Sequence, residues 1–230
     1  MRIYAFGDIH GRADLLKQMF TEIDADLARS PVDHSIEVYL GDYIDRGPHS
    51  AHTLDLLIAR GQSREAVFLK GNHEAYFLEL LRDPTKLDGC RQFGGLQTLM
   101  SYGLQPSLNP SPTERTQLIN GLNEIVPAEH LAFLRRLQPS FVCGDFFFVH
   151  AGVRPGIPLS EQHEADLLWI RNEFLDSEMN FGKFIVHGHT PVREPDIRKN
   201  RINIDTGAYA TGNLTLLRIE GSSMFMSDTG

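Results

Sequence analysis

Arg2-Ile3-Tyr4-Ala5-Phe6-Gly7-Asp8-Ile9-His10-Gly11, residues 2–11, joins an apolar run to a tight polar motif. The run is short and bounded by glycine, which predicts a buried strand over residues 2–6. The pattern then repeats along the chain. Over residues 12–29, Leu15, Leu16, Met19, Phe20, Ile23 and Leu27 follow helical spacing. Residues 36–40 are again strand-like and run into Gly41-Asp42-Tyr43-Ile44-Asp45-Arg46-Gly47. Thr53, Leu54, Leu57 and Ile58 predict a second helix, with Ser50 as its N-cap. Residues 66–69 form a third strand and lead into Gly71-Asn72-His73-Glu74. This is a β–α–β–α–β progression with polar residues at the carboxyl ends of the strands, the edge of an α/β sheet where ligands bind.

The second half reads as strands. Residues 146–149 lead into His150-Ala151-Gly152, and 184–186 lead into His187-Gly188-His189-Thr190. Residues 201–205, 214–219 and 223–226 predict three more. Between the halves, residues 83–126 carry Pro84, Pro106, Pro110 and Pro112 and scattered helical patterns. They hold no chemical motif, only a turn at Phe93-Gly94-Gly95, and predict a mainly helical insert over or beside the site. Pro127 opens a further helix with Leu131, Leu134 and Leu137. Two sheets packed face to face with outer helices suit this count, in one domain spanning 1–230.

Bulk properties narrow the function classes. At 230 residues with 41% hydrophobic side chains, the chain is long enough for a sizeable core. No apolar run approaches the roughly 18–20 residues that cross a bilayer. Residues 1–6 are followed at once by Asp8 and His10, the pattern of a first strand and not of a signal peptide. Cys90 and Cys143 form no motif, so neither a disulfide scaffold nor a thiolate zinc site is expected. The net charge of −8 disfavours a broad electrostatic grip on nucleic acid. A local anion site is compatible with it, because divalent cations make a pocket positive. A cytoplasmic protein with no membrane segment and no nucleic-acid partner is the expectation.

The motifs carry hard oxygen and imidazole donors. In an extended segment, side chains at i and i+2 share a face, so Asp8 and His10 can ligate one metal together. Asp42 has two carboxylate oxygens and can bridge two cations about 3.5–4 Å apart. Asn72 offers an uncharged amide oxygen, and His150 and His189 offer imidazoles. The order supplies one metal with Asp8, His10 and Asp42, and the other with Asp42, Asn72, His150 and His189. Mixed oxygen and nitrogen donors suit manganese, iron or zinc better than calcium. His73 adjoins Asn72 and is a candidate general acid, with Asp45 as acceptor for its other ring nitrogen. Arg46 and Arg171 are candidates to hold phosphate oxygens bidentately. Arg171, in Leu168-Trp169-Ile170-Arg171, reads equally as a surface salt-bridge partner.

The pieces GDIHG, GDYIDRG, GNHE, HAG and HGHTPV resemble the phosphoprotein phosphatase family of the calcineurin-like metallophosphoesterase superfamily, over roughly residues 3–208. The compact form is similar to the bacterial and phage lambda-type Ser/Thr phosphatases. The resemblance implies a four-layer sandwich of two mixed β-sheets flanked by helices, with the metal assignments above at one edge. It also implies Arg46 and Arg171 on phosphate and His73 paired with Asp45. Three departures stand out. Lys70 precedes GNHE where many relatives have Arg. Pro191 stands where the wider superfamily often has a second His, which leaves the first metal three protein ligands. Residues 205–209 replace the loop that eukaryotic enzymes carry there. His187 has no ligand role and reads as a residue behind the ligands, in the pocket wall or in the core.

The implied activity is hydrolysis of phosphomonoesters, foremost phosphoserine and phosphothreonine in proteins, with phosphotyrosine also a substrate. It proceeds by direct attack of a metal-bridging hydroxide and uses two divalent ions, manganese first. The alternative is a symmetrical dinucleoside-tetraphosphate hydrolase. Those enzymes usually read GNHD where this chain has Glu74, which favours the phosphatase on a phosphoprotein or small phosphorylated substrate. A scaffold protein with a vestigial site is opposed by the completeness of the donor set.

Overall fold

The computed structural model describes residues 1–107 and 109–230; residue 108, inside the expected insert, lies outside the described residues. The strands are β1 (Arg2–Phe6), β2 (Ser35–Tyr39), β3 (Ala66–Phe68), β4 (Ser140–Cys143), β5 (Phe146–Val149), β6 (Phe184–His187), β7 (Asp196–Ile197), β8 (Arg201–Asn203), β9 (Thr215–Glu220) and β10 (Ser223–Asp228). The first sheet has the order β10-β9-β1-β2-β3, with β1, β2 and β3 parallel and β9 and β10 antiparallel. The second has the order β4-β5-β6-β8-β7, with β5, β6 and β8 parallel and the outer strands antiparallel. Both sheets are mixed, as expected.

Strand periodicity explains the layers. Ile3, Ala5, Ile36 and Val38 face one way and meet Phe148, Val186 and Ile202 of the other sheet in a shared apolar layer. Their alternates Tyr4, Phe6 and Tyr39 pack instead under helices α1 (Ala13–Arg29), α2 (Ser50–Ser63) and α3 (Asn72–Leu80). On the opposite side, Phe147, Val149 and Ile185 pack with Leu167 and Phe174. The result is helix, sheet, sheet, helix.

The described residues of 84–125 are mainly helical. A short 3₁₀ turn at Pro84–Lys86 precedes α4 (Leu87–Gln92), α5 (Leu96–Ser101) and α6 (Pro112–Ile125), and α7 (Ala128–Arg135) follows. The second half holds more helix than its sequence pattern announces: α8 (Glu164–Trp169), α9 (Asn172–Leu175) and α10 (Ala208–Thr211). These run four to six residues, too short to show a 3.6-residue period. The N-cap of α2 is His49, not Ser50. Ser50 lies in the first helical turn, and its hydroxyl is engaged by the backbone N–H of Asp45 and by Thr98. Among the described residues no helix is long and apolar enough to cross a membrane.

Parallel strands put their carboxyl ends on one edge. From that edge leave Gly7–Gly11 after β1, residues 41–47 after β2, Gly71 after β3, His150 after β5, Gly188 and His189 after β6, and Asp205 after β8. Phe148, fully buried between the sheets, tests this architecture. Phe148→Ala lowers the unfolding free energy by about 3–5 kcal/mol, measured by urea denaturation.

Candidate metal centre

Asp42 is buried at the middle of the strand-end edge. Its Oδ2 lies 3.5 Å from His10 Nε2 and 3.7 Å from His73 Nε2, and its Oδ1 lies 3.4 Å from His150 Nε2. Two clusters share it: His10, Asp42 and His73, and Asp42, His150 and His189, with donor atoms within 4.8 Å of one another in each. Asn72 Oδ1 completes the second, 2.9 Å from both His150 Nε2 and His189 Nδ1. Asp8 stands beside these clusters; its carboxylate accepts the backbone N–H of His189 at 3.1 Å. Six predicted donors thus converge from five loops.

Backbone partners fix which ring nitrogen is available. His10 Nδ1 bonds the Ile44 carbonyl at 2.8 Å, and His150 Nδ1 bonds the Leu40 carbonyl at 3.0 Å. A carbonyl only accepts, so each Nδ1 carries the hydrogen and each Nε2 presents a lone pair inward. Burial pushes the His10 pKa down to about 3, the His189 pKa to about 2 and that of His150 down as well. These imidazoles are neutral donors at neutral pH.

The same edge crowds carboxylates. Burial, then Asp205 and Asp42, hold Asp8 well above the usual carboxylate range. Burial foremost pushes Asp205 up to about 6. Among the described residues His10 Nε2, His189 Nε2 and Asp205 Oδ2 are buried without a hydrogen-bond partner. Neutral imidazole lone pairs and clustered anions in a buried site are the complement of divalent cations, and the donor set fits them.

The geometry is held by strain and by one carboxylate. Among the described residues, the five non-glycine residues with positive φ are His10 (47°), Asp42 (52°), Asp45 (70°), Arg46 (63°) and His189 (68°). Each is a predicted site residue in a conformation disfavoured by ~1–2 kcal/mol. Glu74 opposes that strain. Its Oε2 accepts the N–H of Asp42 and Gly71 at 2.9 Å each, and its Oε1 accepts Tyr43 at 2.7 Å and Ile44 at 3.3 Å. Gly188 leaves space that a side chain would take: an added Cβ would lie 2.1 Å from Asp8 Oδ1.

The catalytic candidates form a second group. His73 Nδ1 donates to Asp45 Oδ2 at 2.7 Å, which leaves Nε2 facing Asp42 and, at 3.4 Å, Arg46 Nη2. Burial pulls the His73 pKa down, but Asp42 and Asp45 outweigh it and the net direction is up. The helical region clasps this group. Thr98 on α5 donates to Asp45 Oδ1 and accepts the Asp45 N–H at 2.9 Å, and the Gly94 carbonyl accepts the Arg46 N–H at 2.9 Å. The Arg46 guanidinium lies 4.7 Å over the Tyr209 ring. Arg171 donates to Thr190 Oγ1 at 3.1 Å, and among the described residues no carboxylate pairs with Arg46 or Arg171. His187 belongs to the core: it packs 5.0 Å from the Phe174 ring, with Nε2 3.4 Å from Arg201.

Glu74, Thr98 and Asp205 are site residues that the sequence reading did not place there. Glu74 was signalled only as part of GNHE, Asp205 only as part of a replaced loop, and Thr98 by nothing.

The sequence profile described as calcineurin-like phosphoesterase matches residues 1–218. The chain belongs to that family. It is a metal-dependent phosphoesterase hydrolase of the α/β, two-sheet class. It is 30% identical over 241 residues to the asymmetrical bis(5′-nucleosyl)-tetraphosphatase PrpE of Bacillus cereus (strain Q1), covering 95% of this chain and 90% of that one. A crystal structure of a protein assigned provisionally as a diadenosine tetraphosphatase superposes with a TM-score of 0.69 at 19% identity, covering 100% of this chain and 95% of the other. The cold-active protein-tyrosine phosphatase of a psychrophile Shewanella species gives a TM-score of 0.56 at 16% identity, covering 98% and 80%. Both likenesses establish the fold.

Metal-free protein should gain stability on adding manganese, about 2.7 kcal/mol at a hundredfold excess over Kd. Calorimetry should show a rise in Tm for the parent, and a much smaller rise for Asp42→Asn.

Proposed function

We propose that this chain hydrolyses dinucleoside polyphosphates, and that it cuts the phosphate chain asymmetrically. The observation that carries this reading is the likeness to PrpE over nearly the full length of both chains. The geometry supports it: Arg46 and Arg171, which pair with no carboxylate among the described residues, flank the donor clusters and suit a run of phosphates. Asp8, His10 and Asp42 would hold one divalent cation, and Asp42, Asn72, His150 and His189 the other. Two such ions supply Lewis acidity toward water and the phosphoryl oxygens.

This reading replaces the expectation of a protein substrate, and Glu74 is the reason the sequence leaned the other way. The Glu74 carboxylate is buried and bonded to four backbone N–H groups. It supports the turn under Asp42, so the choice of Glu over Asp at this position speaks of loop packing and not of substrate. The relatives are named for asymmetrical cleavage, which also moves the reading away from the symmetrical alternative.

His73 is the proton donor to the leaving oxygen, with Asp45 holding the ring by its Nδ1 hydrogen. Its contribution depends on the leaving group. An alkoxide needs the proton, whereas a nucleotide phosphate, with a second pKa of about 6, departs readily without it.

With diadenosine tetraphosphate, chromatography should show ATP and AMP in equal amounts. Two molecules of ADP would mean symmetrical cutting, and rapid phosphoserine-peptide hydrolysis with the dinucleotide untouched would restore the protein-phosphatase reading. His73→Asn should lower kcat by roughly 10²–10⁴-fold on an alkyl phosphate and by clearly less on the dinucleotide; equal losses would remove its acid role. Glu74→Asp should lower Tm while leaving the product pattern unchanged, and a switch in products would return Glu74 to specificity.

A further inference from the structure

Trp169 is the only tryptophan of the chain and is 40% exposed at the end of α8, beside the metal-centre residues. Its inner side is backed by Phe93, with ring centroids 5.7 Å apart, and lies 6.1 Å from the His189 ring. Phe93 in turn stands 5.8 Å from His73. Beyond these neighbours the indole lines a depression of about 460 Å³, with Arg154, Arg171, Asn172 and Glu173 around it. That volume falls in the usual range of small-molecule sites, roughly 300–1,000 Å³. Arg154 is paired with both Asp166 and Glu173, which leaves one formal negative charge there, and Arg171 in the same lining balances it. Arg171 borders the depression and also reaches Thr190 next to His189. It therefore joins the metal-centre edge to the indole.

We propose that Trp169 is a stacking platform for a purine base, placed so that the attached phosphates run over Arg171 into the metal centre. The inference rests on the dinucleoside polyphosphate reading and names the residue that recognises the nucleoside. Stacking on a large aromatic ring suits a base because every base has a π-face. Tyr209, the other exposed aromatic at the rim, is less suited, since the Arg46 guanidinium covers its ring at 4.7 Å. Phe93 comes from the helical region 84–125, so that region takes part in specificity by backing the indole.

A single tryptophan makes the test direct. In metal-reconstituted protein, ATP should quench the intrinsic tryptophan fluorescence saturably, and inorganic tripolyphosphate should not. Equal responses to both, or no response to ATP, would overturn the platform. Trp169→Ala should raise KM for diadenosine tetraphosphate by about 5- to 100-fold with kcat much less affected, and Trp169→Phe should recover most of the loss. A fall in kcat at constant KM would instead mean that Trp169 only braces His189. Should the parent enzyme cleave the dinucleotide while neither variant nor fluorescence responds, the platform alone fails. A parent that leaves the dinucleotide intact removes both the functional reading and the platform.

Discussion

The Asp42 carboxylate, buried among three inward-facing imidazole nitrogens at 3.4–3.7 Å, is the constraint on which the rest of this structure depends. Such a crowd is unfavourable by itself: burial strips the carboxylate of water, and His10 and His150, both neutral, offer it little compensation. The chain nevertheless assembles it. The donors arrive on loops that leave the carboxyl ends of parallel strands, and two sheets sharing one apolar layer fix those ends relative to one another. A sandwich of this kind does what a single helix or hairpin does not: it brings positions as far apart in sequence as Asp8 and His189 into hydrogen-bond contact.

The local cost is visible in the backbone. Five site residues are held with positive φ, and Glu74 offsets part of that strain by gathering four N–H groups onto one carboxylate. The region 84–125 adds a second restraint through Thr98 and Gly94, which hold the Asp45–Arg46 turn. What sequence reasoning treats as an insert shaping the substrate is also part of the scaffold under His73. The Arg46 and His73 side chains are thereby preorganised by residues outside the two donor clusters.

Legibility in the sequence followed chemistry and period. The α1 helix, with six apolar residues at helical spacing, and the strands β1, β2, β5 and β6 were readable because each is long enough or apolar enough to show its pattern. The helices α8 and α9 were not, being six and four residues long, and Trp169 and Arg171 sit on and between them. Thr98 was invisible for a different reason. A threonine in a helix carries no signal that its hydroxyl bonds Asp45, 53 residues away.

By itself, the sequence determined the reaction class and the α/β layering, because metal-ligating side chains at glycine-framed strand ends admit few other uses. It also pointed to residues that converge at the strand-end edge and to the His73–Asp45 pair. Tertiary structure decided what depends on distance and burial. It alone gave the ring nitrogens their roles, placed His187 in the core and put Asp205 beside Asp8. It turned Glu74 from a mark of substrate preference into a support for the Asp42 turn. The physical reason is common to all of these: a hydrogen bond or a buried charge is a relation between chain segments, and local pattern records only what one segment contributes.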